Sequence, residues 1–119
     1  MIFDCIPFFN ELYILKLRMQ IMSPYVDKFV LEESTVTFSG EPKEMVFAKN
    51  REMFAEFADK IIYVAVDNSP MSGVTTHERD KFQKHQLIRG MADCKPDDIV
   101  IFGEVDEIPN PDVLTELIR

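Results

Sequence analysis

Apolar residues along this chain fall into short unbroken runs that alternate with stretches spaced at three- and four-residue steps. The first run, 1–6, is apolar apart from Asp4 and is closed by Pro7, which predicts a buried strand. Asn10 is a helix-capping residue and Glu11 suits a helix N-terminus. From there Leu12, Leu15, Met19 and Met22 recur at helical spacing until Pro24 stops the run. Residues 28–33 predict a second strand that turns polar at its C-terminal end, and the Ser, Thr, Gly and Pro of 34–42 predict a loop. Residues 49–59 fit a helix burying Met53, Phe54 and Phe57, and the run 61–66 predicts a third strand buried on both faces. After a loop at 67–74, Thr75 and Glu78 have the spacing of a capping box and open a helix to about residue 93. Residues 97–102 predict a fourth strand. Asn110 before Pro111 caps a last helix whose Val113, Leu114, Leu117 and Ile118 face inward.

The order β-α-β-α-β-α-β-α implies an α/β fold: a Rossmann-like, mostly parallel sheet with right-handed crossovers and helices on both faces. A chain of 119 residues is the size of one domain, so 1–119 reads as a single unit. In such sheets ligands sit beyond the carboxyl ends of the strands, which directs attention to the loops at 7–10, 33–42, 67–74 and 103–109.

Charge sharpens that search. With 13 basic against 21 acidic residues the chain carries a formal net charge of −8, which disfavours nucleic acid as a partner, because phosphate neutralisation needs clustered Lys and Arg. An acidic protein that nevertheless takes an anionic nucleotide needs a divalent cation or helix N-termini to offset repulsion. The loop after the fourth strand supplies a candidate. Glu104, Asp106 and Glu107 place three carboxylates in four residues, and in an extended segment Glu104 and Asp106 point to one side. Mg²⁺ and Mn²⁺ take oxygen ligands of this kind together with substrate phosphates. The same triplet ahead of Pro111 also serves as a solvated helix-dipole device.

Cys5 and Cys94 lack zinc or disulfide spacing and read as reduced structural thiols. No basic leader precedes the first apolar run, and no stretch approaches the ~20 apolar residues of a membrane span. The expectation is a cytoplasmic chain without a membrane segment. His77 and His85 are isolated, and no nucleophilic triad can be assembled. The segment 7–10 has neither glycine nor base, which counts against a phosphate loop and a nucleotidylyltransferase.

Four blocks carry a resemblance: DCIPFFNEL (4–12), VDKFVLEESTVTFSGEPK (26–43), DKIIYVAVD (59–67) and DDIVIFGEVDEIPNPDVL (97–114). In this order and spacing they resemble glycosyltransferase family 17. The resemblance implies the fold of the nucleotide-diphospho-sugar transferases (GT-A) and a metal-dependent, inverting transfer of N-acetylglucosamine from a UDP-sugar donor to a glycan acceptor. It also implies an Asp-x-Asp motif holding Mn²⁺ or Mg²⁺. Carried over residue by residue, Asp106 is the first metal ligand, Glu104 the next, and Glu107 an organiser of the loop. Glu33, Ser34, Thr35, Phe38, Ser39 and Gly40 fall where such folds hold the base and ribose; Phe38 serves there either to pack the uracil or to anchor its loop. Arg79 and Gln83, on one face of the third helix with Gln86, come within reach of the diphosphate, although their spacing is equally that of a solvated face. The motif departs from the family in reading Glu at 104. The chain ends at Arg119, soon after the motif, so the resemblance covers an N-terminal portion, with the acceptor site and catalytic base expected elsewhere. A non-catalytic nucleotide-sugar-binding or interaction domain is the alternative. An unfinished sheet edge leaves room for association.

Overall fold

The structure, a computed structural model, describes residues 1–37, 41–67 and 75–117, apart from the side chains of Arg79, Asp80 and Leu117. Four parallel strands, β1 (Ile2–Phe8), β2 (Lys28–Ser34), β3 (Ile61–Val66) and β4 (Ile99–Phe102), lie in the order β3-β2-β1-β4. The helices are α1 (Leu12–Met22), α2 (Val46–Lys49), α3 (Thr76–His85) and α4 (Pro111–Leu117), with 3-10 turns at Arg51–Lys60 and Gln86–Gly90. Side-chain alternation along the strands divides the core in two. Ile2, Ile6, Phe29 and Leu31 pack under α1, the 3-10 turns after α2, and α4. Phe3, Cys5, Val30 and Val64 face the opposite way, toward Leu87 and Phe82. Helices therefore cover both faces, as the alternating pattern predicts.

The central strand runs longer than its sequence suggests. Pro7 does not close β1 but pairs with Glu32 of β2. Its missing N–H costs no ladder bond: β4 pairs with β1 only as far as Cys5, and Pro7 presents its imino nitrogen to that same side two residues past the end of β4. β3 matches its predicted limits, yet it is an edge strand with Ala65 exposed, so it is not buried on both faces. The predicted helix at 49–59 is instead a single turn of α2 followed by 3-10 turns that kink at Phe54. Aromatic packing explains the departure, since Phe47 stacks on Tyr63 at 5.4 Å and meets Phe54 at 5.1 Å, and a straight helix over 49–59 leaves Phe47 outside.

Capping follows the sequence at two of three helices. The Thr75 hydroxyl accepts from the Glu78 backbone N–H at 3.1 Å, and Asn110 Oδ1 accepts from Asp112 N–H at 3.0 Å. At α1 the helix begins at Leu12, and Asn10 contributes its carbonyl, not its side chain, to Leu12 N–H. Val113 of α4 is exposed and only Leu114 of its predicted inner face is buried; Ile118 and the Leu117 side chain lie outside the described residues.

The regular α-helix of α3 stops at His85, short of the predicted 93, because the following turn must lay its backbone on the sheet. A methyl group at Gly90 would sit 2.4 Å from Val30 Cγ1 and 3.1 Å from Val64 Cγ2. Gly90→Ala is expected to lower the unfolding free energy by about 1–3 kcal/mol in urea titration, and an unchanged midpoint would contradict the close approach.

Candidate functional site

An acidic residue in the middle of the apolar first strand organises this end of the molecule. Asp4 is fully buried on the face of β1 that packs against α1, and Arg18 is fully buried on the same stripe of α1 as Leu15, Met19 and Met22. Arg18 Nη2 and Nε donate to Asp4 Oδ1 and Oδ2 at 2.6 and 3.0 Å, a bidentate pairing that matches the planar fork to the carboxylate. The remaining donor, Nη1, reaches the carbonyl oxygens of Glu104 at 2.8 Å and Glu107 at 2.9 Å. The acidic loop after β4 is thus fastened by its backbone to a charge pair in the core.

Two further contacts set the loop's shape. Glu107 N–H donates to the Glu104 carbonyl at 3.0 Å, and Glu107 Oε1 accepts from Glu104 N–H at 2.8 Å. Val105, buried between them, plugs into the core. The segment is therefore a turn and not the extended strand expected from the sequence. Glu104 and Asp106 nevertheless line one cavity, of about 190 Å³, and Glu107 spends its carboxylate on the turn.

The cavity lies beyond the carboxyl ends of β1 and β2, where the order of strands reverses about β1. Phe8 and Phe9 of the first strand end and Glu11 form part of its wall. From β2 come Glu32 and Ser34, both buried. Gln83 of α3, also buried, donates to Ser34 Oγ at 3.1 Å and to the Val36 carbonyl at 3.2 Å, so α3 is stitched to the loop after β2 at the cavity wall. That contact answers the sequence alternative of a solvated face at Gln83. Lys43 completes the wall. Its ammonium donates to the Ser34 carbonyl at 3.2 Å and lies 3.6 Å from Glu33 Oε2, and burial holds its pKa below the usual lysine value despite the Glu33 charge.

Other residues singled out by sequence go elsewhere. Glu33 points to the opposite face of the sheet from Glu32. There its carboxylate accepts from Phe47 N–H at 2.8 Å, Ala48 N–H at 3.3 Å and the Tyr63 hydroxyl at 2.8 Å, capping α2 instead of lining the cavity. Burial and this bond raise the Tyr63 pKa well above the ordinary tyrosine value. Thr35 donates to Asp67 Oδ1 at 3.2 Å across the β2 and β3 ends. Phe38, Ser39 and Gly40 lie outside the described residues, as does the side chain of Arg79.

Asp4, Arg18, Glu32 and Lys43 take part in this site without having been predicted as site residues from the sequence. Asp4 and Arg18 were legible as a charged residue within an apolar strand and a cation on an apolar helical stripe, which together call for a partner. Glu32 and Lys43 carried no such signal.

Electrostatically the cavity is lopsided. Among the described lining residues Glu11, Glu32, Glu104 and Asp106 are acids and Lys43 is the cation. A diphosphate entering alone meets net negative charge. No three His, Cys, Asp or Glu side chains converge among the described residues to hold a metal unaided. Two carboxylates completed by phosphate oxygens are, however, a donor set that Mg²⁺ and Mn²⁺ commonly use, so Glu104 and Asp106 fit such an ion in the company of a diphosphate.

The chain matches the family model of glycosyltransferase family 17 over residues 1–119. It is 30% identical over 113 residues to the beta-1,4-mannosyl-glycoprotein 4-beta-N-acetylglucosaminyltransferase of Homo sapiens, and 30% and 29% identical to the proteins of that name from Rattus norvegicus and Mus musculus. These matches cover 87% of this chain and 20–21% of the relatives, so the chain spans about one fifth of their length. No solved structure matches it.

Removing one member of the buried pair tests the fastening of the loop. Arg18→Met should lower the unfolding free energy by about 3–5 kcal/mol, since Asp4 is left as an uncompensated buried charge. Asp4→Leu combined with Arg18→Met should cost clearly less than the sum of the two single changes. Strict additivity in urea unfolding would show that the two groups do not act as a pair.

Proposed function

This chain belongs to glycosyltransferase family 17, and we propose that its cavity binds the diphosphate end of UDP-N-acetylglucosamine, with Mn²⁺ or Mg²⁺ held by Asp106 and Glu104. The observation that carries the reading is that those two acidic residues line one cavity at the strand ends, whose charge is otherwise wrong for a nucleotide. At about 190 Å³ the cavity is smaller than the roughly 300–1,000 Å³ usual for a small-molecule site, which suits one end of a sugar nucleotide and not the whole. The reaction proposed is inverting transfer of N-acetylglucosamine to a glycan hydroxyl on a GT-A scaffold.

Bound there, the cation supplies charge neutralisation for the departing uridine diphosphate. The protein's part is positional. Arg18 and Asp4 keep the loop backbone in place, Glu107 fixes the turn, and Glu104 and Asp106 line the cavity. Ser34 and Gln83 hold α3 against the wall. Phe9, 39% exposed and lining the cavity, offers an apolar plate for a base or sugar ring.

A second reading is donor binding without turnover, since the cavity has room for only one end of a sugar nucleotide. Titration calorimetry of the chain with UDP-N-acetylglucosamine separates these readings from failure of both. Binding should require Mn²⁺ and weaken at least tenfold in Asp106→Ala. Metal-independent binding, or full affinity in the variant, would remove the donor-site assignment, and binding without release of uridine diphosphate in the presence of a glycan acceptor would select the second reading.

A further inference from the structure

We propose that the ammonium of Lys84 is the resident counter-ion of Glu104, and that a divalent cation takes its place there when the donor site fills; this rests on the metal role proposed above for Glu104 and Asp106. Lys84 stands on α3, and its Nζ lies 2.9 Å from Glu104 Oε1. The bridge spans two surfaces. Glu104 lines the cavity at the strand ends, whereas Lys84 lines an open groove on the neighbouring side of α3 with His77, Lys81 and Phe102.

The exposures fit an exchangeable contact. The Lys84 and Glu104 side chains are 30% and 41% exposed, so water reaches both and the bridge is of the weak, solvent-screened kind. The buried Asp4–Arg18 pair, by contrast, is fully enclosed. The backbone at 104 is fixed three times over, by Arg18 to its carbonyl, by the Glu107 N–H to the same carbonyl, and by the Glu107 carboxylate to its N–H. Exchange is thereby confined to a side-chain movement of Glu104 on a rigid loop, with the Lys84 side chain as the group released.

Such a counter-ion has two effects. Without a cation it offsets the repulsion between Glu104 and Asp106 at one cavity, and it raises the cation concentration needed to fill the site. Weak uptake of the ion alone, with stronger uptake of the ion and diphosphate together, follows from the competition.

Electron paramagnetic resonance of free Mn²⁺ measures this without any turnover. Lys84→Met should bind Mn²⁺ roughly two- to fivefold more tightly than the unaltered chain, the range set by the strength of such a bridge. Lys84→Arg, which can keep the bridge, should stay near the unaltered value. Lys81→Met removes a positive charge from the same helix without touching the bridge, and should shift affinity less than Lys84→Met does. Equal shifts in the two methionine variants, or weaker binding in Lys84→Met, overturn the proposal while leaving the metal reading intact, provided Asp106→Ala still abolishes uptake. Uptake by Lys84→Met alone supports the exchange in its strongest form. No uptake by either protein, with uridine diphosphate also present, overturns both.

Discussion

Sheet, first helix and acidic loop share one group, the guanidinium of Arg18. Its fork closes on Asp4 in the centre of the sheet, and its last donor holds the carbonyls of Glu104 and Glu107. A guanidinium suits that position because its charge cannot be removed and its donors lie in one plane, so it can satisfy a carboxylate and two carbonyls together. A buried pair of this kind contributes little net stability against an apolar alternative. What it contributes here is placement: the turn that carries Glu104 and Asp106 is attached to a fully buried charge pair in the core.

That placement connects fold to function through charge. A chain of net charge −8 whose cavity wall sets four acids against one lysine has little to attract a nucleotide. The same acids become an asset once a divalent cation bridges them to phosphate oxygens. Lys43 and Lys84 temper the negative field from two sides, one buried in the wall near Glu33 and one at the edge of α3. Under the proposed metal role, cation and diphosphate arriving together would change that balance.

Much of this was legible in the sequence because it depends on local chemistry. Strand β3 and the caps at Thr75 and Asn110 follow from short patterns, and the strand alternation gives the parallel sheet and the position of the cavity. What escaped depends on tertiary partners. Phe47 draws α2 and the 3-10 turns out of a plain helix, Gly90 shortens α3 by its approach to Val30, and Pro7 continues a strand because β4 has already ended beside it. The acids of β2 show the limit most clearly. Glu32 and Glu33 are neighbours of one residue type, and alternation sends one to the cavity and the other to cap α2, a difference of face that composition does not encode.

Paramagnetic broadening by Mn²⁺ in the amide spectrum of the isotopically labelled chain, recorded with UDP-N-acetylglucosamine present, addresses the central claim most directly. If the Arg18-anchored turn carries a cation into this cavity, the amides of Glu104, Val105 and Asp106 broaden first, followed by those of Phe9 and Ser34, while α2 and its 3-10 turns stay sharp. Broadening centred on any other acidic segment, or spread evenly over the surface, would contradict it.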